Sequence, residues 1–190
     1  MKIINTKIED VKIIEPKIFK DDRGYFVETF REDKLEEFLG HKIDFCQDNE
    51  SKGLKGTLRG LHYQLSPFAQ TKLVRVIEGK VLDVAVDIRK GSKTFGQHVA
   101  VELDSNRKRQ LLVPRGFAHG FIVLSDEAIF AYKVDNYYDK SSERGIAYDD
   151  DFININWLLD KELFRLSEKD SKQPDFTKAD LFNIKDDLYI

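Results

Sequence analysis

From Lys72 to Ile88 the chain alternates apolar and polar positions in two runs. Leu73, Arg75 and Ile77 interleave with Val74 and Val76, and Glu78-Gly79-Lys80 then breaks the pattern. Leu82, Val84, Val86 and Ile88 alternate with Asp83, Ala85 and Asp87 after it. Side chains that alternate with period two mark β-strands, and two such runs joined by a glycine turn predict a hairpin. Further strands are predicted over 98–103, 110–113, 118–123 and 129–134, separated by Asp, Asn, Gly or Pro turns. Upstream, Ile3, Ile8, Val11, Ile13 and Ile14 predict one or two strands before the Asp21-Asp22-Arg23-Gly24 turn, and 25–30 predicts another. Glu32 to Leu39 carries Leu35, Phe38 and Leu39 at helical spacing, with Gly40 where a C-cap falls. Beyond Asp149 the pattern weakens, and short helices are expected around 160–166 and 178–184. Many short, evenly spaced strands imply a mainly β fold, an antiparallel barrel or sandwich of the jelly-roll kind.

Composition narrows the class. With 190 residues, 41% hydrophobic and 34% charged, and no repeat or linker, a single globular domain over 1–190 is expected. No apolar run approaches the ~20 residues a bilayer span requires, and Met1 to Asp10 mixes charges with isoleucines. A soluble, cytoplasmic protein without a membrane partner is expected. The net charge of -3, with no basic run of phosphate-binding length, argues against a nucleic-acid partner. Arg107-Lys108-Arg109 reads as a solvated turn. Cys46 is the only cysteine, so no intrachain disulfide forms; beside Phe45 it is expected as a small apolar filler.

The chemistry concentrates in Thr57-Leu58-Arg59-Gly60-Leu61-His62-Tyr63-Gln64 and in Gln70-Thr71-Lys72-Leu73-Val74-Arg75. Strict alternation puts Leu58, Gly60, His62 and Gln64 on one strand face and Arg59, Leu61 and Tyr63 on the other. A histidine inside a β-walled cavity suits a general base, and flanking cations suit an anionic substrate. Asp83, Asp87, Arg75, Arg59 and His62 are costly to bury unpaired. They either face solvent on an open sheet or line a ligand cavity, and patterning alone leaves both open. A shared pocket for Arg59 and His62 requires a bulge or strand end near Gly60.

Pro114-Arg115-Gly116-Phe117-Ala118-His119-Gly120 resembles the second signature of the cupin jelly rolls. The first signature of metal-binding cupins carries two histidines one residue apart and a glutamate. Here His62 stands with Gln64 in the second place, and His41 and His98 lie outside both motifs. A metal-free cupin is therefore expected.

Longer segments match in order: Asp22 to Glu28, Gln47 to Ser51, Gly56 to Gln64, Gln70 to Gly79, Asp83 to Arg89, Arg109 to Phe121, Tyr132-Lys133, Tyr137-Tyr138 and Leu166 to Asp170. From about Ile13 to Pro174 the chain resembles the dTDP-4-dehydrorhamnose 3,5-epimerase family. The resemblance implies a cupin-type antiparallel jelly-roll barrel with short peripheral helices. It implies a cofactor-free epimerase converting dTDP-4-dehydro-6-deoxy-D-glucose to dTDP-4-dehydro-L-rhamnose. A 4-keto sugar has acidified protons at C3 and C5, so inversion needs a base, an acid on the opposite face and a stabiliser for the enolate oxygen. By the resemblance these are His62 oriented by Asp170, Tyr132 as proton donor, and Lys72 beside the enolate. His119 matches a further pocket residue that bonds substrate or Tyr132. Arg59 suits diphosphate through its planar fork. Gln47 and Asn49 match amides near sugar or base, and Tyr138 an aromatic near the nucleotide. Arg23, Phe26 and Glu28, with Phe19 as a stacking partner, match residues that reach the nucleotide of the partner subunit in a homodimer. Ile146-Ala147-Tyr148 and Trp157-Leu158 depart from the family pattern, and residues 175–190 carry no assigned function. A mono-epimerase at C3 or C5, and a catalytically silent sugar-nucleotide-binding cupin, are the alternatives.

Overall fold

A computed structural model describes residues 1–189. In chain order the strands are β1 (Lys2–Asn5), β2 (Lys12–Glu15), β3 (Ile18–Asp21), β4 (Gly24–Val27), β5 (Gln47–Leu54), β6 (Leu58–Gln64), β7 (Lys72–Glu78) and β8 (Lys80–Asp87). They continue as β9 (Arg89–Lys90), β10 (His98–Asp104), β11 (Gln110–Val113), β12 (Phe117–Val123), β13 (Glu127–Val134), β14 (Glu143–Gly145) and β15 (Phe182–Asn183). One sheet has the order β1-β2-β11-β7-β13-β5 and the other β10-β8-β12-β6-β14, and every pairing in both is antiparallel. From β5 to β8 successive strands alternate between the two sheets. This is the jelly-roll arrangement that the strand spacing predicts.

The expected hairpin at Gly79 is absent. β7 and β8 lie in different sheets, β7 between β11 and β13, and β8 between β10 and β12. Alternation along each run identified two strands correctly but carries no information about partners. Each is instead a central strand with a partner on both edges. The tight hairpin is instead β3–β4, which stands apart from both sheets.

Apolar side chains fill three layers. Between the sheets lie Val74, Val76, Val81, Ala85, Leu111, Phe121 and Phe130 among others. Outside the five-stranded sheet, Leu58, Leu61, Leu82, Val84, Val86 and Ile122 pack under the C-terminal segment through Ile153, Trp157, Phe176, Phe182 and Leu188. Outside the six-stranded sheet, Ile14, Leu73 and Leu112 receive Leu35 and Ile43. Leu35 belongs to the helix α1 (Glu32–Leu39), whose bounds and C-cap agree with the sequence reading: Gly40 is left-handed, and its N–H donates to Glu36 O at 2.8 Å. No helix among the described residues is long and apolar enough to cross a membrane.

Two further expectations fail. The helix expected over 178–184 is a short 3-10 turn at Phe176–Lys178 followed by β15, which pairs in parallel with β9. Phe182 sits in the core, so a strand that buries it there displaces the helix. The helix expected over 160–166 shrinks to a 3-10 turn at Lys161–Leu163. Cys46 is exposed. In an alternating run Phe45 turns toward the packing under α1, which sends its neighbour to solvent.

The feature that most shapes the interior lies where β6 meets β12. His119 pairs with His62 and Phe121 with Arg59, so Gly60 and Leu61 together oppose Gly120 alone. Two residues against one is a β-bulge. Gly60 has φ +139, and a Cβ there meets the Gly120 Cα at 2.6 Å, so both backbone conformation and space demand glycine. Gly60→Ala is expected to cost about 2–4 kcal/mol in urea unfolding, from positive-φ strain plus backbone overlap. An unchanged midpoint contradicts this account.

Candidate active site

The bulge shifts side-chain parity within β6. Leu58, Leu61 and Tyr63 face the outer core, while Arg59 and His62 line one cavity. That cavity, about 320 Å³, is bounded by Asn49, Arg59, His62, Lys72, His119 and Tyr132, with Phe121 and Phe130 closing its apolar end. A second cavity of about 370 Å³ adjoins it and shares Asn49, His62, Lys72 and Tyr132. Gln47, Tyr63, Gln64, Gln70, Tyr138 and Glu143 complete its lining. The two are compartments of one cleft between the sheets. His62 comes from the five-stranded sheet, Lys72 and Tyr132 from the six-stranded sheet, so the base candidate and the acid candidate approach from opposite walls.

His62 Nε2 lies 2.5 Å from Asp170 Oδ1. Asp170 is nearly buried in a 3-10 turn (Asp170–Lys172), and its other oxygen accepts from the Ser167 hydroxyl at 2.7 Å. Burial pushes this carboxyl up, but the hydrogen bond and charge of His62, aided by Ser167, outweigh it and hold it below the usual carboxylate range. An ionised carboxylate on Nε2 fixes the ring and leaves Nδ1 as the nitrogen able to take a proton.

Lys72 opens β7, and its ammonium donates to His62 O at 3.5 Å. Burial pushes it down to about 8, partly offset by the charges of Asp83 and Glu143, so it stays cationic at neutral pH. Burial pushes the Tyr132 phenol above its ordinary value against the opposing charge of Arg59; it keeps its proton and can donate it.

His119 lines the cleft, as its match to a pocket residue implies. Its Nε2 lies 3.0 Å from both oxygens of Asp83, which is wholly buried, and its ring stacks on Phe130. This pair gives the buried Asp83 carboxylate the partner that its burial requires. The other charged positions resolve individually. Asp87 is held by Arg89, Ser92 and Thr94. Arg75 lines a separate depression with Gln110 and Lys133.

Gln47 and Asn49 line the cleft as expected, joined by a 2.7 Å bond from Gln47 Nε2 to Asn49 Oδ1. Tyr138 stands at its edge, its hydroxyl donating to Glu143 Oε2 at 3.0 Å. Phe19, Arg23, Phe26 and Glu28 do not line this cleft. Arg23 pairs with Asp21 and Glu28 with Arg31. Phe19 and Phe26 are cross-strand neighbours with 46% and 64% of their surface exposed, so core packing does not explain them. Ile146 and Trp157, where the chain departs from the family pattern, are buried in the outer core away from the cleft.

Sequence reading missed Glu143, Gln64 and Gln70 as lining residues. Glu143 lies in a three-residue strand with no periodicity to announce it, and it also pairs with Lys169, the neighbour of Asp170. Burial raises its carboxyl, while Lys169 and Tyr138 outweigh that and hold it low. Gln64 shares the pocket-facing parity of His62, a signal that was available. It ties the β6–β7 connection, through Phe68 O, to the loop beyond β13, through Tyr137 O and Asp139 N.

The family profile described as dTDP-4-dehydrorhamnose 3,5-epimerase matches residues 5–178. A dTDP-4-dehydrorhamnose 3,5-epimerase of Shigella flexneri is 56% identical over 182 residues, 96% of this chain and 99% of that protein. The crystal structure of a Legionella pneumophila dTDP-6-deoxy-D-glucose-3,5-epimerase in complex with dTDP-4-keto-L-rhamnose superposes with a TM-score of 0.93 at 50% identity, covering 97% of this chain and 99% of that one. A 3'-monoepimerase of Streptomyces bikiniensis in complex with dTDP-quinovose gives a TM-score of 0.86 at 32% identity, over 91% of this chain and 87% of that one. The chain belongs to the dTDP-4-dehydrorhamnose 3,5-epimerase family.

The electrostatics of Lys72 generate a prediction. Below about 8 both folded and unfolded chains hold its proton, and the full cost of burying the charge is present. As pH rises toward the free value near ~10.4, only the unfolded chain keeps the proton and the cost fades. Lys72→Met is expected to stabilise the fold at pH 7 by about 1–3 kcal/mol, trimmed from the full shift because the cleft admits water. The gain should vanish near pH ~10.5. Denaturant titrations across pH test this, and a variant no more stable than wild type at pH 7 refutes it.

Proposed function

We propose that this family member converts dTDP-4-dehydro-6-deoxy-D-glucose to dTDP-4-dehydro-L-rhamnose by inverting C3 and C5, a step toward dTDP-L-rhamnose for cell-surface polysaccharide. One observation carries the reading: a carboxylate-held histidine and a protonated tyrosine face each other across a cleft that also holds a half-buried lysine. Inversion requires proton removal on one face of the ring and delivery on the other, and two opposed sheets supply two faces.

His62 takes the proton from C3 or C5, with Asp170 compensating the imidazolium that forms. Negative charge moves to the oxygen at C4, where the Lys72 ammonium is already fixed and needs no reorganisation. Tyr132 returns a proton from the opposite wall. No carbon changes oxidation state overall, so acid–base side chains and one cation suffice without a cofactor. Arg59, His119, Gln47, Asn49 and Tyr138 are the nucleotide and sugar contacts of this reading. The greater identity to 3,5-epimerases than to the monoepimerase favours inversion at both carbons.

A homodimer completes the reading. The β3–β4 hairpin presents Phe19, Arg23 and Phe26 to solvent, away from their own cleft, as residues offered to the cleft of a second copy are placed. The exposed, unpaired Cys46 suits a reducing compartment and a cytoplasmic location. Chain 1–190 acts as one domain in this scheme.

Proton NMR of the proposed substrate incubated in deuterated water tests the chemistry. Deuterium should enter both C3 and C5 with wild type. It should enter neither with His62→Ala, and formation of the inverted product should fall about 10²–10⁴-fold with Tyr132→Phe. Exchange at one carbon alone makes the protein a monoepimerase, and no exchange makes it a binding protein or assigns it another sugar nucleotide. Sedimentation should give twice the 22.1 kDa chain mass; a fully active monomer refutes the shared site.

A further inference from the structure

Lys72 is the first residue of its strand, a position where pairing ordinarily frays. Its neighbours on both sides are also strand ends. Lys72 pairs with Val113, the last residue of β11, and with Val134, the last residue of β13. Just beyond those ends stand Arg115 and Asp135, and the two form an ion pair, Arg115 Nε to Asp135 Oδ2 at 3.1 Å. Their side chains are only 9% and 5% exposed, far from the fully solvated condition in which such a pair is worth little.

The second carboxylate oxygen of Asp135 accepts from the backbone N–H of Thr71 at 2.6 Å, and the Asp135 N–H donates to Thr71 O at 3.3 Å. Thr71 is thereby gripped on both backbone groups, immediately before Lys72. It is fully buried, and its hydroxyl has no hydrogen-bond partner among the described residues, so its polar hold is entirely through the backbone. Arg115 is anchored in turn by the C-terminal segment. Its Nη1 donates to Leu188 O at 2.6 Å, and its guanidinium lies 5.0 Å from the centre of the Tyr189 ring. Leu188 is buried, and β15 ties the same segment to β9.

We propose that Arg115 and Asp135 are positioning residues: locked by the C-terminal segment, they buckle β11 to β13 across the start of β7 and hold the Lys72 ammonium in place in the cleft. This gives residues 183–189 a part in catalysis although none of them lines the cleft. The inference rests on the enolate-stabilising assignment of Lys72 made above. A misplacement of about 1 Å in such a group costs on the order of 10²-fold in rate.

The test uses the full chain with Arg115→Met and Asp135→Asn, each alone and combined with Lys72→Met. Deuterium incorporation into the dTDP-4-keto-6-deoxysugar gives kcat and KM, and amide hydrogen exchange reports the backbone at 70–73. Either single variant should lower kcat about tenfold or more with KM held within about twofold. It should speed amide exchange at 70–73 while leaving β12 protected. Combined with Lys72→Met, neither should lower the residual rate further, because the group they position is gone. The same fold loss in the Lys72→Met background, or wild-type kcat despite a loosened 70–73 segment, overturns the proposal. Should Arg115→Met not fold, Arg115→Lys keeps the charge but loses the fork, and wild-type kcat with faster exchange at 70–73 is again the overturning result. If wild type incorporates no deuterium, the substrate reading fails, while the amide-exchange arm still decides whether the buckle exists.

Discussion

Everything distinctive about the cleft depends on how closely β6 approaches β12 at Gly60 and Gly120. Arg59 and His62 are three residues apart, and on a regular strand they would face opposite ways. Setting Gly60 and Leu61 against Gly120 inserts one unit into the register and turns both polar side chains inward. The same step returns Leu61 and Tyr63 to the outer core, where their apolar surface is buried. One backbone irregularity thus serves the packing of one layer and the chemistry of another. It is open only to residues without a Cβ, since the chains meet at a separation that no side chain fits.

Within the cleft, charge is arranged at the expense of stability. His62 and Asp170 form a compensated pair, as do His119 and Asp83. Among the described residues Lys72 has no carboxylate in direct contact, only the more distant Asp83 and Glu143. In the proposed mechanism this half-buried, charged ammonium meets negative charge that appears only during reaction, a preorganisation that a solvated lysine lacks. Tyr132 is the complement: burial disfavours its phenolate, so the phenol keeps its proton.

Around this centre the chain adds layers with different duties. The six-stranded sheet carries α1 on its outer face, while the five-stranded sheet is covered by the long C-terminal segment. That segment reaches Arg115 and, through Asp135, the backbone beside Lys72. The β3–β4 hairpin belongs to neither large sheet and carries the exposed aromatic side chains Phe19, Tyr25 and Phe26.

Most of the strands, the helix α1 with its glycine cap and the motif residues His62, Lys72, Tyr132 and Asp170 were legible in the chain, because period-two and helical spacing are local properties and long motifs preserve order. The need for a bulge at Gly60 was legible too, since two residues wanted in one pocket had incompatible parity. Strand partnership was not: the runs around Gly79 look like a hairpin, yet each finds two other neighbours in a separate sheet. Nor was the Asp83–His119 pair, nor Glu143 in the wall of the cleft, nor the tie from the C-terminal segment to Thr71. These join residues tens of positions apart, and which of them meet is decided by burial, where every charge brought out of water must find a partner supplied by whatever element the fold places beside it. Sequence alone determined which residues could do chemistry and on what kind of element they sit; the tertiary structure alone decided which of them face one another.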